Sequence, residues 1–320
     1  MDNFIEKQVT YKNIDESSVD QKIDNYLIKI LKGVPKGHIY KLLRTGQIRV
    51  NKKRVKTEYK LCQDDIVRIP PVDFKEKISP QNLKIDKHTK NSITNNILFE
   101  DDFLLVINKP FGLAVHGGSG LSYGVIELLR QIYSGEKFLE LIHRLDKETS
   151  GVLLVAKKRV ALVEIQKQIR EKRIHKKYQV GISGIWKEKQ KIVDLNLLKI
   201  SKGDGQKVIV TKNNKEVLNS KESRSVFFLN KHFRKYSLLD VKLITGRTHQ
   251  IRVHLSHLGF PVLGDDRYGN FKINKELQKN GFKRMFLHAL EYGFIHPKSK
   301  EKVLISAPLP EELLNFVNLK

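Results

Sequence analysis

Beyond Ile97 the chain consists mainly of short apolar runs separated by charged or turn residues, and this pattern restricts the fold more than any other feature. Examples are "ILFEDDFLLVINKP", "GVLLVAKK", "KYQVGISG" and "YSLLDVKLIT". Short apolar runs bounded by turn residues are typical of strands. Because they do not alternate regularly with helical segments, we expect an α+β domain with a mixed, mainly antiparallel sheet rather than a doubly wound parallel one.

The N-terminal part has a different pattern and is predicted to form a small separate domain over residues 1–71, with its core at about 20–70. A first helix is indicated by apolar residues at helical spacing: Val19, Ile23, Leu27, Ile30 and Leu31. A second helix is predicted to turn Ile39, Leu42 and Leu43 inward and to stop at Gly46. The stretch "QIRVNKKRVK" at 47–56 then predicts a hairpin that turns at "NKK".

Between the two parts, residues 72–96 lose apolar periodicity and gain Pro, Lys, Ser and Asn, which predicts a linker. The second domain is therefore expected to span 97–320. Within it, a helix is predicted from Val160 to Lys172 with three residues facing inward: Leu162, Ile165 and Ile169.

The charge balance points to a polyanionic partner. The chain has 60 Lys and Arg against 35 Asp and Glu, a formal charge of +25, which would repel itself without such a partner. Between Lys29 and Lys60 there are eleven basic residues and one acid, Glu58. A solvated charged face is the alternative, but a one-signed charge on adjacent elements favours RNA binding. The residues predicted to bind RNA in this part are Lys41, Arg44, Arg49, Lys52, Lys53 and Arg54.

One charged turn interrupts two apolar runs in "LELIHRLDKETSGVLLVAKK" at 139–158. Asp146 lies there between Arg144 and Lys147, so positive charge surrounds its carboxylate. A carboxylate held at the rim of a sheet is a candidate nucleophile. Spacing alone favours an ion-paired turn instead, since charged turns are common and no base or metal partner is visible nearby, but spacing does not settle the question.

The same stretch resembles the signature of the RluA-type family of pseudouridine synthases. Further similarity follows in the family's order over about residues 97–310, in "NKPFGLAVHGGSG", "KKYQV", "TGRTHQIRVHLSHLG", "DDRYG" and "LHA". The resemblance implies that Asp146 is the catalytic residue. The reaction breaks the C1′–N1 bond of a uridine and rejoins the uracil through C5 without redox change, so no cofactor is expected.

Other roles are also implied by the resemblance. Tyr178 is expected to stack on a flipped uracil, and Arg252 is expected to pair with Asp146. Arg144 would occupy the space that the flipped base leaves, Leu287 would line the uracil pocket, and His143 is expected to contact the RNA. Each of four residues has a structural alternative. Tyr178 could be packed in a strand and Arg252 could face solvent from a helix. Arg144 could form a salt bridge within the turn, and Leu287 could be a core residue.

The N-terminal part resembles the S4 RNA-binding domain over about residues 20–70. This combination implies an enzyme that modifies 23S ribosomal RNA, free or in a precursor large subunit, at three uridines. We expect a monomer. The alternatives are a related synthase with another target helix of 23S rRNA, a non-catalytic ribosome-assembly factor and a small-molecule hydrolase with an aspartate nucleophile.

The sequence disfavours several classes of protein and several kinds of site. The apolar runs are shorter than the roughly 20 residues of a membrane helix, so a cytoplasmic protein is expected. Cys62 is the single cysteine, which excludes an intrachain disulfide and predicts a buried structural role. No metal site is expected, because His249, His254 and His257 lack ligand spacing. The loop "HGGSG" at 116–120 lacks the Lys and Ser/Thr of a P-loop, so no nucleotide cofactor is expected.

Overall fold

The computed structural model describes residues 8–31, 33–72, 87–117, 123–202, 205–211 and 217–319. The chain divides into two compact units, one formed by Met1–Lys84 and Ser134–Phe138 and the other by Ile85–Tyr133 and Leu139–Lys320. Each unit has its own hydrophobic core.

The first unit contains two helices and a small antiparallel sheet. In chain order its elements are β1 (Thr10–Asn13), α1 (Ile23–Ile30), α2 (Lys36–Arg44), β2 (Arg49–Val50) and β3 (Ile66–Ile69). The strands lie in the order β1-β3-β2. The predicted inward residues Ile39, Leu42 and Leu43 are buried, and α1 buries Ile23 and Leu27 against them. Both predicted helices are therefore confirmed.

The hairpin predicted over 47–56 is only partly present. A tight turn forms at Asn51 and Lys52, which both have positive φ (49° and 66°), but its arms share a single bridge, Val50 with Lys53. The ladder partner of β2 is instead β3. The Asn51 side chain explains this choice, because it donates to Asp65 (2.7 Å) and accepts from the backbone N–H of Ile66 (2.9 Å).

Gly46 ends α2 as predicted. Its φ is +70°, and a Cβ there would lie 2.3 Å from Nε of Arg54. Glycine is therefore required both for the left-handed backbone and for the close approach of the arginine.

The second unit is built on one sheet of eleven strands. Its helices are α3 (Lys87–Thr94), α4 (Val125–Ile132), α5 (Arg159–Arg170), α6 (Gln250–His257), α7 (Phe271–Lys279) and α8 (Glu311–Leu319). Its strands are β4 (Ile97–Glu100), β5 (Leu104–Lys109), β6 (Glu140–Leu141), β7 (Ser150–Ala156), β8 (His175–Ser183), β9 (Gln190–Lys202), β10 (Gly205–Val210), β11 (Lys221–His232), β12 (Tyr236–Leu243), β13 (Leu287–Ile295) and β14 (Lys302–Ser306).

The strand order is β10-β9-β11-β12-β8-β13-β7-β5-β4, with β14 beside β13 and β6 beside β7. Among the described strand pairs, β13 with β7 is the parallel one and the others are antiparallel. The expected mixed, mainly antiparallel α+β sheet is confirmed. All seven residues of β7 are buried. The successive strands β8, β13 and β7 lie near the middle of the strand order and form the centre of the sheet.

Some expectations need correction. The region predicted as a linker, 72–96, contains α3, and Ile93 of this helix is buried in the core of the second unit; residues 73–86 lie outside the described residues. Cys62 is exposed rather than buried. Within the described residues no helix is long and apolar enough to span a membrane.

The buried face of α5 also differs from the prediction. Ile165 is buried as expected, but Leu162 and Ile169 are half-buried, and Gln168 faces inward instead. Gln168 is satisfied there because its amide donates to the carbonyl of Ile295 (2.8 Å) and accepts from its N–H (2.9 Å). A polar residue can thus occupy an inward position that apolar periodicity does not predict.

Gly151 lies where β7 meets β13 in parallel register. Its φ is +112°, and a Cβ would stand 2.2 Å from the carbonyl oxygen of Ala289. We predict that Gly151→Ala lowers the free energy of unfolding of the second unit by at least about 2 kcal/mol. Urea unfolding followed by the fluorescence of Trp186, the one tryptophan and a buried residue of this unit, measures the change.

Gly246→Ala is the matched control, since this glycine of the second unit has ordinary φ and the nearest atom to a Cβ placed on it would be Nζ of Lys176, at an ordinary contact distance of 3.6 Å. Equal stability of the two variants would contradict this account of the strand junction.

Candidate active site

Asp146 lies in the loop between β6 and β7, which return beside each other as an antiparallel pair. The loop is fastened from within, because Thr149 N–H donates to the carbonyl of Asp146 (3.1 Å). The fully buried Lys109 donates to the carbonyl of Lys147 (3.1 Å) and to two further carbonyls, those of Pro110 and Leu113. Burial lowers the pKa of Lys109 to about 7. The aspartate is thereby held at the rim of the sheet.

Arg252, on α6, connects Asp146 to a second carboxylate. Its Nη1 lies 3.1 Å from Oδ2 of Asp146, while Nε and Nη2 make two bonds to Asp265 (2.7 and 2.8 Å). Burial acts to lower the pKa of Arg252, but the hydrogen bonds and charge of Asp265, together with Asp146, outweigh it and raise the pKa. The predicted pair of Arg252 with Asp146 is present, and the arginine is buried rather than solvent-facing.

Asp265 is the anchor of this arrangement, and sequence reasoning missed it. Its side chain is fully buried and accepts from the backbone N–H groups of Arg267 (2.9 Å) and Tyr268 (3.0 Å). Burial would raise its pKa, but the bonds and charge of Arg252 hold the pKa below its ordinary value. It lies in "DDRYG", a motif recognised for similarity but given no role. The Tyr268 ring lies 5.1 Å from the guanidinium carbon of Arg252.

His249 completes the surroundings of Asp146 and was also missed as a site residue. Its backbone is left-handed (φ 55°) at the start of α6, which brings Nε2 to 3.7 Å from Oδ2 of Asp146. Its Nδ1 lies 2.9 Å from the Tyr268 hydroxyl. Burial lowers the pKa of His249, and the charge of Asp146 opposes this shift.

These residues border a cleft of about 130 Å³. This volume is close to that of a cavity of about 150 Å³ that binds benzene, so the cleft is of about the size of a single ring. Its lining includes five predicted site residues: Arg144, Asp146, Tyr178, Arg252 and Leu287. Tyr178 and Leu287 come from the neighbouring strands β8 and β13, and both are largely buried. Burial, with the charge of Asp146, raises the pKa of Tyr178.

His143 and Arg144 have different surroundings. Arg144 is exposed and lines the cleft. His143 does not line it; its Nε2 accepts from the backbone N–H of Leu154 (3.2 Å), and its ring stacks on Tyr292 at 4.7 Å. Burial lowers the pKa of His143 to about 3, so the imidazole is neutral at pH 7. It borders a second, adjoining cleft.

The predicted basic residues of the first unit lie on its surface. All six predicted RNA contacts are exposed: Lys41, Arg44, Arg49, Lys52, Lys53 and Arg54. Lys41, Arg44 and Arg54 line a groove of about 820 Å³ that also contains two acids, Asp24 and Glu58. The surface is thus accessible and cationic around the groove.

Two further motifs have structural contacts. His254 is buried with Nε2 at 2.7 Å from the Ser223 hydroxyl, and burial lowers its pKa to about 4. In the "HGGSG" loop, the N–H of Gly117 donates to Glu127 (2.9 Å), as does that of Gly124 (2.8 Å). Residues 118–122 lie outside the described residues.

The chain joins a small basic helical unit to a mixed sheet, at whose rim a loop carboxylate and a helix arginine border a ring-sized cleft. This is the architecture of an RNA-modifying enzyme. A model of the RNA pseudouridylate synthase family matches residues 103–257, and a model of the S4 domain matches residues 21–67.

The chain is 45% identical over 313 residues to "Ribosomal large subunit pseudouridine synthase C" of Pasteurella multocida (strain Pm70), covering 98% of this chain and 94% of that protein. It is 46% identical over 301 residues to the protein of that name from Yersinia pestis, covering 94% and 92%. Among solved structures, "Human RNA Pseudouridylate Synthase Domain Containing 4" is similar with a TM-score of 0.59 and 25% identity, over 72% of this chain and 95% of that one. The chain belongs to the RNA pseudouridylate synthase family, as its resemblance implied.

We predict that Arg252→Met lowers the free energy of unfolding of the second unit by about 3–5 kcal/mol, because it leaves the buried Asp265 carboxylate unpaired. Arg144→Met, the removal of an exposed arginine from the same cleft, is expected to change it by less than about 0.5 kcal/mol. Urea unfolding followed by Trp186 fluorescence checks both. A loss below about 1 kcal/mol for Arg252→Met would contradict the anchoring role of this pair.

Stability is also predicted to fall in mild acid. His254 and His288 are fully buried, and burial lowers the pKa of each to about 4. Since the unfolded imidazoles take up protons at about pH 6.5, stability is fully present above that pH and is lost as the pH falls toward 4. At pH 5 each contributes a loss of about 2 kcal/mol.

Urea unfolding at pH 7.5 and pH 5 measures this loss. His254→Gln should remove its share of the dependence, whereas His116→Gln, at an exposed position, should keep the full dependence. Equal pH dependence in the two variants would be inconsistent with a buried neutral His254.

Proposed function

We propose that this protein isomerises uridine to pseudouridine in 23S ribosomal RNA of the large subunit, with Asp146 as the catalytic residue. The observation that carries the proposal is the Asp146 carboxylate, paired with the buried Arg252 at the edge of a ring-sized cleft. The names of relatives that match nearly the whole chain support the ribosomal substrate.

The chemistry requires a carboxylate next to the reacting sugar and base. Isomerisation breaks the C1′–N1 bond, turns the uracil while it stays bound and joins C5 to C1′; C5 loses a proton and N1 gains one. Asp146 acts by addition at C6, attack at C1′ or assistance at C2′. Arg252 fixes the rotamer of this carboxylate through a charge-assisted hydrogen bond. The reaction balances without an oxidant or reductant, so no cofactor is proposed.

The target uridine must leave its stack to reach the cleft, at a cost of a few kcal/mol. Tyr178 would stack on the flipped uracil, and aromatic stacking offsets about 1–3 kcal/mol of the cost. Leu287 forms an apolar wall of the same cleft. Arg144, which is exposed beside it, is suited to fill the space that the base leaves in the RNA.

Affinity for the RNA is assigned to basic surfaces. The six exposed lysines and arginines of the S4 domain would contact phosphates, His143 would border the bound strand, and the overall charge of +25 favours association with a polyanion. The protein is proposed to act as a monomer. A ribosomal RNA substrate supports activity in the cytoplasm, and three target uridines are expected.

The test is to incubate unmodified 23S rRNA with the protein or with Asp146→Asn and to map pseudouridines by carbodiimide labelling and reverse-transcription stops. We predict stops at three uridines with the unaltered protein and none with Asp146→Asn, whose RNA affinity stays within about tenfold, or 1.4 kcal/mol. Asp102→Asn, a change at an exposed aspartate outside the cleft, should retain all stops.

Stops at other uridines of 23S rRNA would indicate a related synthase with a different target helix. RNA binding without stops would favour a non-catalytic assembly factor, and stops with Asp146→Asn would remove Asp146 from the chemistry.

A further inference from the structure

A second cleft of about 350 Å³ adjoins the cleft of Asp146. The two share four lining residues: Arg144, Tyr178, Leu243 and Gly246. The rest of the second cleft includes Lys176 and Arg170 from two further elements, β8 and α5. Among the described residues that line it there is no aspartate or glutamate. The second cleft is therefore cationic and continuous with the proposed uracil site.

Lys176 and Lys177 are adjacent on β8 but have opposite surroundings. Side chains alternate along a strand, so Lys176 shares the face of Tyr178 while Lys177 points to the other side of the sheet. Lys177 forms ion pairs with Asp240 (3.2 Å) and Glu291 (3.7 Å). In the part of the chain that the structure describes, Lys176 has no carboxylate or hydrogen-bond partner. Its Nζ lies beside Gly246, 3.6 Å from where a Cβ would stand.

This position is unfavourable for an ammonium group without a ligand. Burial lowers the pKa of Lys176, and the neighbouring charge of Arg247 lowers it further. A partly desolvated cation next to another cation is stabilised by an anion bound between or beside them. The free protein thus holds a positive charge that the fold itself does not compensate.

Tyr292 provides a second, independent sign of a ligand. It lies opposite Lys176 in the pairing of β13 with β8, and it lines the second cleft. Its side chain is buried, at 2% exposure, and its hydroxyl has no hydrogen-bond partner within the described residues. Buried hydroxyls are normally satisfied, and an unsatisfied one is costly. An oxygen-rich ligand in the cleft would accept from this donor.

We propose that the second cleft binds a phosphodiester group of the RNA strand next to the flipped uridine, with Lys176 as the cationic contact and the Tyr292 hydroxyl as a further donor. The inference rests on the proposed function, because it places this phosphate beside the uracil site. Contacts to phosphate fix the position of a strand without reading its sequence. The second cleft would thus hold the backbone while the base occupies the first cleft.

The test compares Lys176→Met with Lys177→Met in the full chain. Binding to unmodified 23S rRNA is measured between 50 and 200 mM KCl. Affinity falls as salt rises, and the loss of one phosphate contact makes the negative slope of log affinity against log salt shallower by about 0.7–0.9. It also weakens binding about fivefold at 0.15 M salt. We expect both effects for Lys176→Met and neither for Lys177→Met. Wild-type affinity and slope in Lys176→Met would overturn the proposal.

Thermal unfolding separates binding from stability. Lys176→Met removes an unpaired charge, so its unfolding temperature should equal or exceed that of the unaltered protein, whereas Lys177→Met loses two ion pairs and should not gain stability. A weaker salt dependence in a fully folded Lys176→Met protein then reports a lost RNA contact.

Inorganic phosphate distinguishes the source of the anion. If phosphate raises the unfolding temperature of the unaltered protein but not of Lys176→Met, while both bind RNA equally, the cleft takes free phosphate and the RNA proposal is wrong. Pseudouridine mapping on the same rRNA separates the two proposals. An inactive unaltered protein whose Lys176 effect persists refutes the function alone, and an active protein without that effect refutes the phosphate site alone.

Discussion

The buried pair of Arg252 with Asp265 is the interaction on which the site depends. Moving either charge out of water costs several kcal/mol, and the cost is offset only where geometry is good and the remaining hydrogen-bonding capacity is satisfied. Both conditions are met: two bonds join the side chains, and two backbone N–H groups complete the carboxylate. With two of its nitrogens held in this way, the guanidinium presents its third nitrogen to Asp146.

The fold supports this pair from several directions. The neighbouring central strands β8 and β13 each contribute a wall residue to the cleft, Tyr178 and Leu287. The buried β7 begins four residues after Asp146. Lys109, buried below the loop, binds the carbonyl of Lys147 and so ties the loop to the end of β5. Rigid strands thus carry the walls of the cleft, and a fastened loop carries the carboxylate, which is the arrangement that precise positioning of reactive groups requires.

The sequence predicted those features that local pattern determines. Apolar spacing identified α1 and α2 and the mainly antiparallel sheet, and Gly46 marked a helix end because its backbone needs positive φ. The sequence did not predict that β2 pairs with β3. A contact between Asn51 and Ile66, which are 15 residues apart, selects that partner. The inward position of Gln168 was not predicted for a similar reason, because its backbone partner Ile295 is 127 residues away.

The candidate site also combines residues that the sequence identified with residues whose roles depend on contacts distant in sequence. Family resemblance, and not spacing, singled out Asp146, Tyr178 and Arg252. Asp265 carried no local signal, because its meaning lies in a contact with a side chain on another element. Likewise, only the sheet distinguishes Lys176 from Lys177, which are identical neighbours in sequence.

The most direct measurement is the single-turnover rate of pseudouridine formation by Asp265→Asn under saturating protein. We predict a decrease on the order of 100-fold, because a shift of about 1 Å in a positioned group has that effect, with RNA affinity unchanged. A wild-type rate would contradict the claim that Asp265 positions Asp146 through Arg252.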